Sequence, residues 1–143
     1  MADDPSPLKP ALVSEFVLKA HGDLDTVKRL LEQEPQLLNA AWDWGGGDWE
    51  TALGAAAHVG RREIALYLLD RGARMDVFAA AMLGEVDVVR AMLEAQPSLR
   101  DSRGPHGIPL ISHAEAGGEQ ARGVLDFLQG VGSRQDDPQT ARV

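Results

Sequence analysis

Cysteine is absent from the 143 residues. That excludes a disulfide framework and a thiolate metal site. Basic residues are outnumbered, 14 against 22 acidic, for a net charge of −8. Such a field repels phosphate backbones, and no basic stripe offsets it, so no nucleic-acid partner is expected. No apolar run approaches the roughly 18 residues of a membrane span, so no membrane partner is expected either. The start, Met1-Ala-Asp-Asp-Pro-Ser-Pro, lacks the basic region and apolar stretch of a secretory signal. Cytoplasm is the expected location. Aromatic residues are scarce at 5%, yet all 3 tryptophans fall within a single nine-residue segment, 42–50.

What is present is ordinary for one soluble globular domain, with 44% hydrophobic and 25% charged residues. The apolar residues recur in four similar units, each built around a glycine between two helical patterns. The glycines are Gly22, Gly60, Gly84 and, in a looser copy, Gly117. Eight and nine positions after the first three stand Leu30-Leu31, Leu68-Leu69 and Met92-Leu93, and five after stand Val27, Ala65 and Val89. These spacings fall on one helix face. Ahead of Gly60 and Gly84 lie Ala55–Ala57 and Ala79–Ala81, good helix formers that also let neighbouring helices approach closely. Each unit predicts helix, glycine turn, helix, with the glycine in a left-handed conformation. One pair cannot bury its own apolar face, so stacking of the copies into a solenoid is expected. Pro35 and Pro97 mark shared exits from units one and three.

The second unit reads Thr51-Ala-Leu53-Gly-Ala-Ala56-Ala57-His-Val-Gly60, then Ile64 and Leu68-Leu69-Asp-Arg-Gly72-Ala73-Arg-Met-Asp76. This resembles the ankyrin-repeat signature, with Ala52 and Gly54 replacing its usual proline and histidine. The fourth unit keeps Pro109-Leu110. The resemblance covers about residues 14–130 and implies an all-α ankyrin-repeat solenoid of about four helix-turn-helix units. Residues 11–130 form the expected domain, between flexible tails at 1–10 and 131–143. The glycine intervals are 38, 24 and 33 residues, against an ankyrin period of about 33. They predict an enlarged finger before unit two, a deleted one before unit three and a regular one before unit four.

Ankyrin proteins bind macromolecules along finger tips and first helices. The resemblance therefore implies a non-catalytic module that binds a protein or peptide. Its enlarged finger, Trp42-Asp43-Trp44-Gly45-Gly46-Gly47-Asp48-Trp49-Glu50, is the expected anchor, because tryptophan is favoured at binding hot spots. Trp42 and Trp49 compete for a second role, covering the stack above unit one. The regular finger offers Arg103 and His106 as rim contacts, or a plain Gly-Pro turn. The family's variable first-helix positions correspond to His58 and Val59, Met82 and Leu83, Glu115 and Ala116, with Met82 divided between contact and core. An alternative is a small-molecule or carbohydrate binder, weakly catalytic at most, centred on Trp44, Asp43, Asp48 and His58. Self-association through the ends of a short stack is a third reading, giving a monomer or weak homo-oligomer.

Catalytic and metal motifs are not found in the sequence. His21, His58, His106 and His113 form no short ligand motif, and Asp43, Asp48 and Glu50 do not have calcium-loop spacing. Ser112-His113 lacks a nucleophile elbow, and Gly45–Gly47 lacks the lysine of a phosphate loop. The expectation is no enzyme, no metal and no cofactor.

Overall fold

The computed structural model describes residues 6–130. The expected tail 131–143 and residues 1–5 lie outside the described residues. Among the described residues, eight α-helices form four consecutive pairs: α1 (Pro10–Lys19) with α2 (Leu24–Gln33), α3 (Ala52–His58) with α4 (Arg62–Asp70), α5 (Val77–Leu83) with α6 (Val86–Ala95), and α7 (Leu110–Ala116) with α8 (Arg122–Gln129). The chain is mostly helical, and among the described residues it adds one small antiparallel sheet, β1 (Ala41–Asp43) and β2 (Trp49–Thr51). A purely all-α description therefore misses the enlarged finger, which is a hairpin. None of the described helices is long and apolar enough to cross a membrane.

Local chemistry sets the helix starts. Thr51 Oγ1 accepts from the Gly54 amide at 3.0 Å and opens α3, while Asp76 accepts from the Ala79 amide at 2.8 Å and opens α5. Each satisfies an amide that has no partner within its helix. Pro35 and Pro97 begin short 3₁₀ turns directly after α2 and α6, as their missing amide hydrogens allow. At the other end of the chain, Pro10 starts α1 and Leu8 packs against the core. The ordered body thus begins earlier than the expected boundary at residue 11.

The first helices pack in a row, α1 on α3, α3 on α5 and α5 on α7, with Ala55–Ala57 and Ala79–Ala81 fully buried between them. Phe16, Leu37, Leu53, Ile64 and Leu68 belong to the core of the first two units, and Leu110 and Val124 to a second cluster under the last two. Full burial of each such large side chain contributes about 1.5–3 kcal/mol. Met82 belongs to this core, only 1% exposed, so its expected role as a partner contact is corrected. It follows three buried alanines in α5, a helix enclosed on nearly every side by its neighbours.

Gly60 and Gly84 take the expected left-handed conformation, at φ 71° and 83°. Gly22 and Gly117 do not; after α7 the left-handed residue is Gly118. Gly117 is needed for a different reason, because a Cβ there would overlap the Met82 carbonyl oxygen. A further departure concerns the row itself. In a one-dimensional array each unit touches only its neighbours, yet here α3 also meets α7, and a Cβ on Gly60 would lie 3.3 Å from the Ala116 carbonyl carbon. Units two and four thus touch each other past unit three, at the C-terminal ends of α3 and α7.

Candidate functional site

That convergence brings the two fingers together. In the first, β1 and β2 pair Trp42 with Glu50 and Asp43 with Trp49. Opposed residues share a face and successive residues alternate. Trp42 and Glu50 accordingly face inward, and Asp43 and Trp49 outward. Trp42 packs partly buried against the core, Glu50 is 1% exposed, and Trp49 is 60% exposed. The turn between the strands runs through Gly45, Gly46 and Gly47, all at positive φ. Asp43 Oδ1 holds that turn, accepting from the Gly45 amide at 2.8 Å and the Gly47 amide at 3.0 Å. Asp43 thereby closes the hairpin turn, with its side chain half-buried.

The second finger is a compact loop bridged from Arg103 to Pro109, with a turn over Pro105–Gly107. Arg103 is spent locally, donating to the Gly107 carbonyl at 3.0 Å. His106 holds φ 63°, the left-handed region that a histidine seldom occupies. Asp48 of the first finger fixes it there: one oxygen accepts from the His106 amide and the other lies against Nδ1, both at 2.7 Å. The His106 amide, with the ring beside it, keeps the Asp48 carboxyl below its usual range.

Four segments distant in sequence meet at the result. His21 comes from the turn after α1, Glu50 from β2, His58 from the last position of α3 and His106 from the second finger. His21 Nε2 and His106 Nε2 lie 3.4 and 3.3 Å from Glu50 Oε1, and His58 Nε2 lies 3.0 Å from Oε2. The Trp44 indole donates to Oε1 at 2.8 Å. His21 Nδ1 faces the Val17 and Leu18 carbonyl oxygens at 3.1 and 3.0 Å, which fixes it as a donor and leaves Nε2 turned to the carboxylate.

Burial pushes the Glu50 carboxyl up, but the His21 and His58 rings and the Trp44 N–H outweigh it and hold it at about 2. The hydrogen bond with Glu50 raises His21 against the opposing effect of burial. Even so, Glu50 Oε2 and His58 Nε2 are buried without a hydrogen-bond partner, since their short approach lacks hydrogen-bond alignment. Buried polar atoms are seldom left in that state.

Beside this cluster a groove of about 360 Å³ runs between the fingers, with Trp49, Phe78 and Pro105 as its apolar walls and Arg103 and Asp76 at its edges. The expected residues therefore divide three ways. Trp44, Asp48, Glu50, His58 and His106 form one polar centre, Trp49 and Arg103 line the groove, and Trp42, Asp43 and Met82 are structural. Sequence reasoning did not single out His21 as a site residue and found no ligand motif, because the histidines become neighbours only through folding. The short interval from Gly60 to Gly84 was the available signal: with no finger before unit three, the other two fingers can touch. Neither a family model, nor a curated protein sequence, nor a solved structure matches the chain.

Proposed function

We propose that this chain is an ankyrin-type repeat module that binds a protein or peptide through the groove between its two fingers. Four stacked helix pairs, the Thr51 cap at the opening of α3 and the finger before it support the family reading. The observation that carries the function is Trp49. It stands on a strand face with 60% of its surface in water, beside the Phe78 and Pro105 walls of the groove. An indole held out by a hairpin is a low-entropy anchor. The Asp48–His106 clamp fixes the groove's width before a partner arrives, which reduces the ordering cost of binding. The net charge of −8 favours a partner with a basic patch.

Wild type and Trp49→Ala tested side by side against a partner identified by mass spectrometry of captured proteins provide the test. Truncation of a central anchor costs about 2 kcal/mol or more, hence an affinity loss of roughly 30-fold. Equal affinity of the two proteins would overturn the reading. A second reading, binding of a small polar ligand, gains support from the convergence of Trp44, Asp48 and His58. Asp43, bound into its own turn, drops out of it.

A further inference from the structure

The polar centre does not need a macromolecular partner to be explained, and what it requires is independent of the groove. His21 donates Nδ1–H to backbone carbonyls, and His106 presents Nδ1 to the Asp48 carboxylate. Both Nε2 atoms turn toward Glu50 Oε1, at 3.4 and 3.3 Å. The three rings crowd around one buried carboxylate, with centroids 5.0, 5.1 and 6.4 Å apart.

We propose that His21, His58, His106 and Glu50 form a binding site for a divalent transition-metal ion of the zinc type. One ligand atom from each of the four lies within 4.8 Å of all the others. A tetrahedral site with bonds of about 2.1 Å places its ligand atoms about 3.4 Å apart. His21 and His106 stand at about that spacing from Glu50 Oε1, at 3.4 and 3.3 Å, while His58 stands 3.0 Å from the other oxygen, Oε2. An ion at the centre supplies a partner to His58 Nε2 and to the Glu50 carboxylate, whose Oε2 is likewise buried without one.

The surroundings fit as well. Metal-bound imidazoles generally donate the second ring N–H to a carbonyl or carboxylate, as His21 does to Val17 and Leu18 and His106 does to Asp48. The charges of Glu50 and Asp48 together balance a divalent cation. Imidazole ligands select zinc and its first-row neighbours over calcium or magnesium. Four protein ligands close the coordination shell, so the ion acts as a clamp joining the turn after α1, β2, α3 and the second finger. The left-handed backbone of His106 is the strain this clamp sustains.

The untagged full chain, stripped with a chelator, is titrated with zinc alone in a calorimeter and with cobalt(II) in a spectrophotometer. We expect one equivalent bound, tetrahedral-type visible absorption from cobalt, and a thermal midpoint that rises with zinc. His106→Ala and Glu50→Gln weaken zinc binding at least tenfold, and Asp48→Asn, a positioning change, weakens it by about 10–100-fold. His106 lies on the second finger with its side chain 33% exposed, so its variant keeps the test decisive where Glu50→Gln fails to fold. Absence of stoichiometric zinc binding by wild type would overturn the proposal. So would His106→Ala binding as tightly as wild type. Trp49→Ala should bind zinc unchanged, which separates this site from the groove.

Discussion

Replacing single glycines by alanine tests whether close approach of α5 and α7 builds this molecule, and three positions separate the contributions. Gly123 lies within α8, with ordinary helical backbone and nothing within 4 Å of an added Cβ. Gly123→Ala should stabilise by about 0.5–1 kcal/mol, because glycine inside a helix costs about that much. Gly117 has φ −75°, equally acceptable to alanine. Its Cβ, however, would overlap the Met82 carbonyl oxygen and come within 3.0 Å of the carbonyl carbon. Backbone cannot rotate aside as a side-chain tip can. Gly117→Ala should therefore cost about 3 kcal/mol, the upper end of the overpacking range. Gly84, at φ 83°, meets the Gln120 carbonyl in the same way and adds about 1–2 kcal/mol for a left-handed alanine. Urea and thermal unfolding read all three, with roughly 3–4 °C of midpoint per kcal/mol at this chain length. The order should be Gly123→Ala above wild type, Gly117→Ala about 10 °C below it, and Gly84→Ala at or below that. If Gly117→Ala unfolds within about 0.5 kcal/mol of wild type, as an ordinary surface change does, close packing of α5 on α7 is refuted.

Thr51→Ala and Asp76→Ala should each lower stability by about 1 kcal/mol through loss of a helix cap; an unchanged urea midpoint in both would contradict the capping geometry. Burial holds His113 below the ordinary value of 6.5; its Nδ1 donates to the Pro109 carbonyl at 3.0 Å, and Nε2 is buried without a partner. The unfolded chain therefore takes up the His113 proton more readily than the folded one. The contribution to stability is full above about pH 6.5 and declines as pH falls below it. The stability of His113→Leu relative to wild type should thus improve between pH 7.5 and 5.5, and a pH-independent difference would count against it. Asp48→Ala should free the second finger, visible as faster hydrogen exchange of the His106 amide with little change elsewhere; unchanged protection there would show that Asp48 is not its anchor.

The sequence by itself determined the four helix pairs, because apolar spacing around a repeated glycine is a local property that one strand of text displays. It also determined that the fingers are unequal, since intervals of 38, 24 and 33 residues can be counted without coordinates. Thr51 and Asp76 as helix starts, and Pro35 and Pro97 as helix exits, follow from backbone chemistry within a few residues. Tertiary structure decided the rest. Strand alternation in the hairpin turned Trp42 inward and Trp49 outward, and that alternation depends on a register the sequence does not announce. Met82 became core because of the helix laid against it. Apart from the Glu50–His58 approach, 8 residues apart, the polar centre depends on contacts across 29 residues, from His21 to Glu50, and 56 residues, from Glu50 to His106. They exist because the deleted finger lets the second finger close on the first and α7 reach α3. A missing segment thus made the site, and what an absence brings together is visible only when the chain is folded.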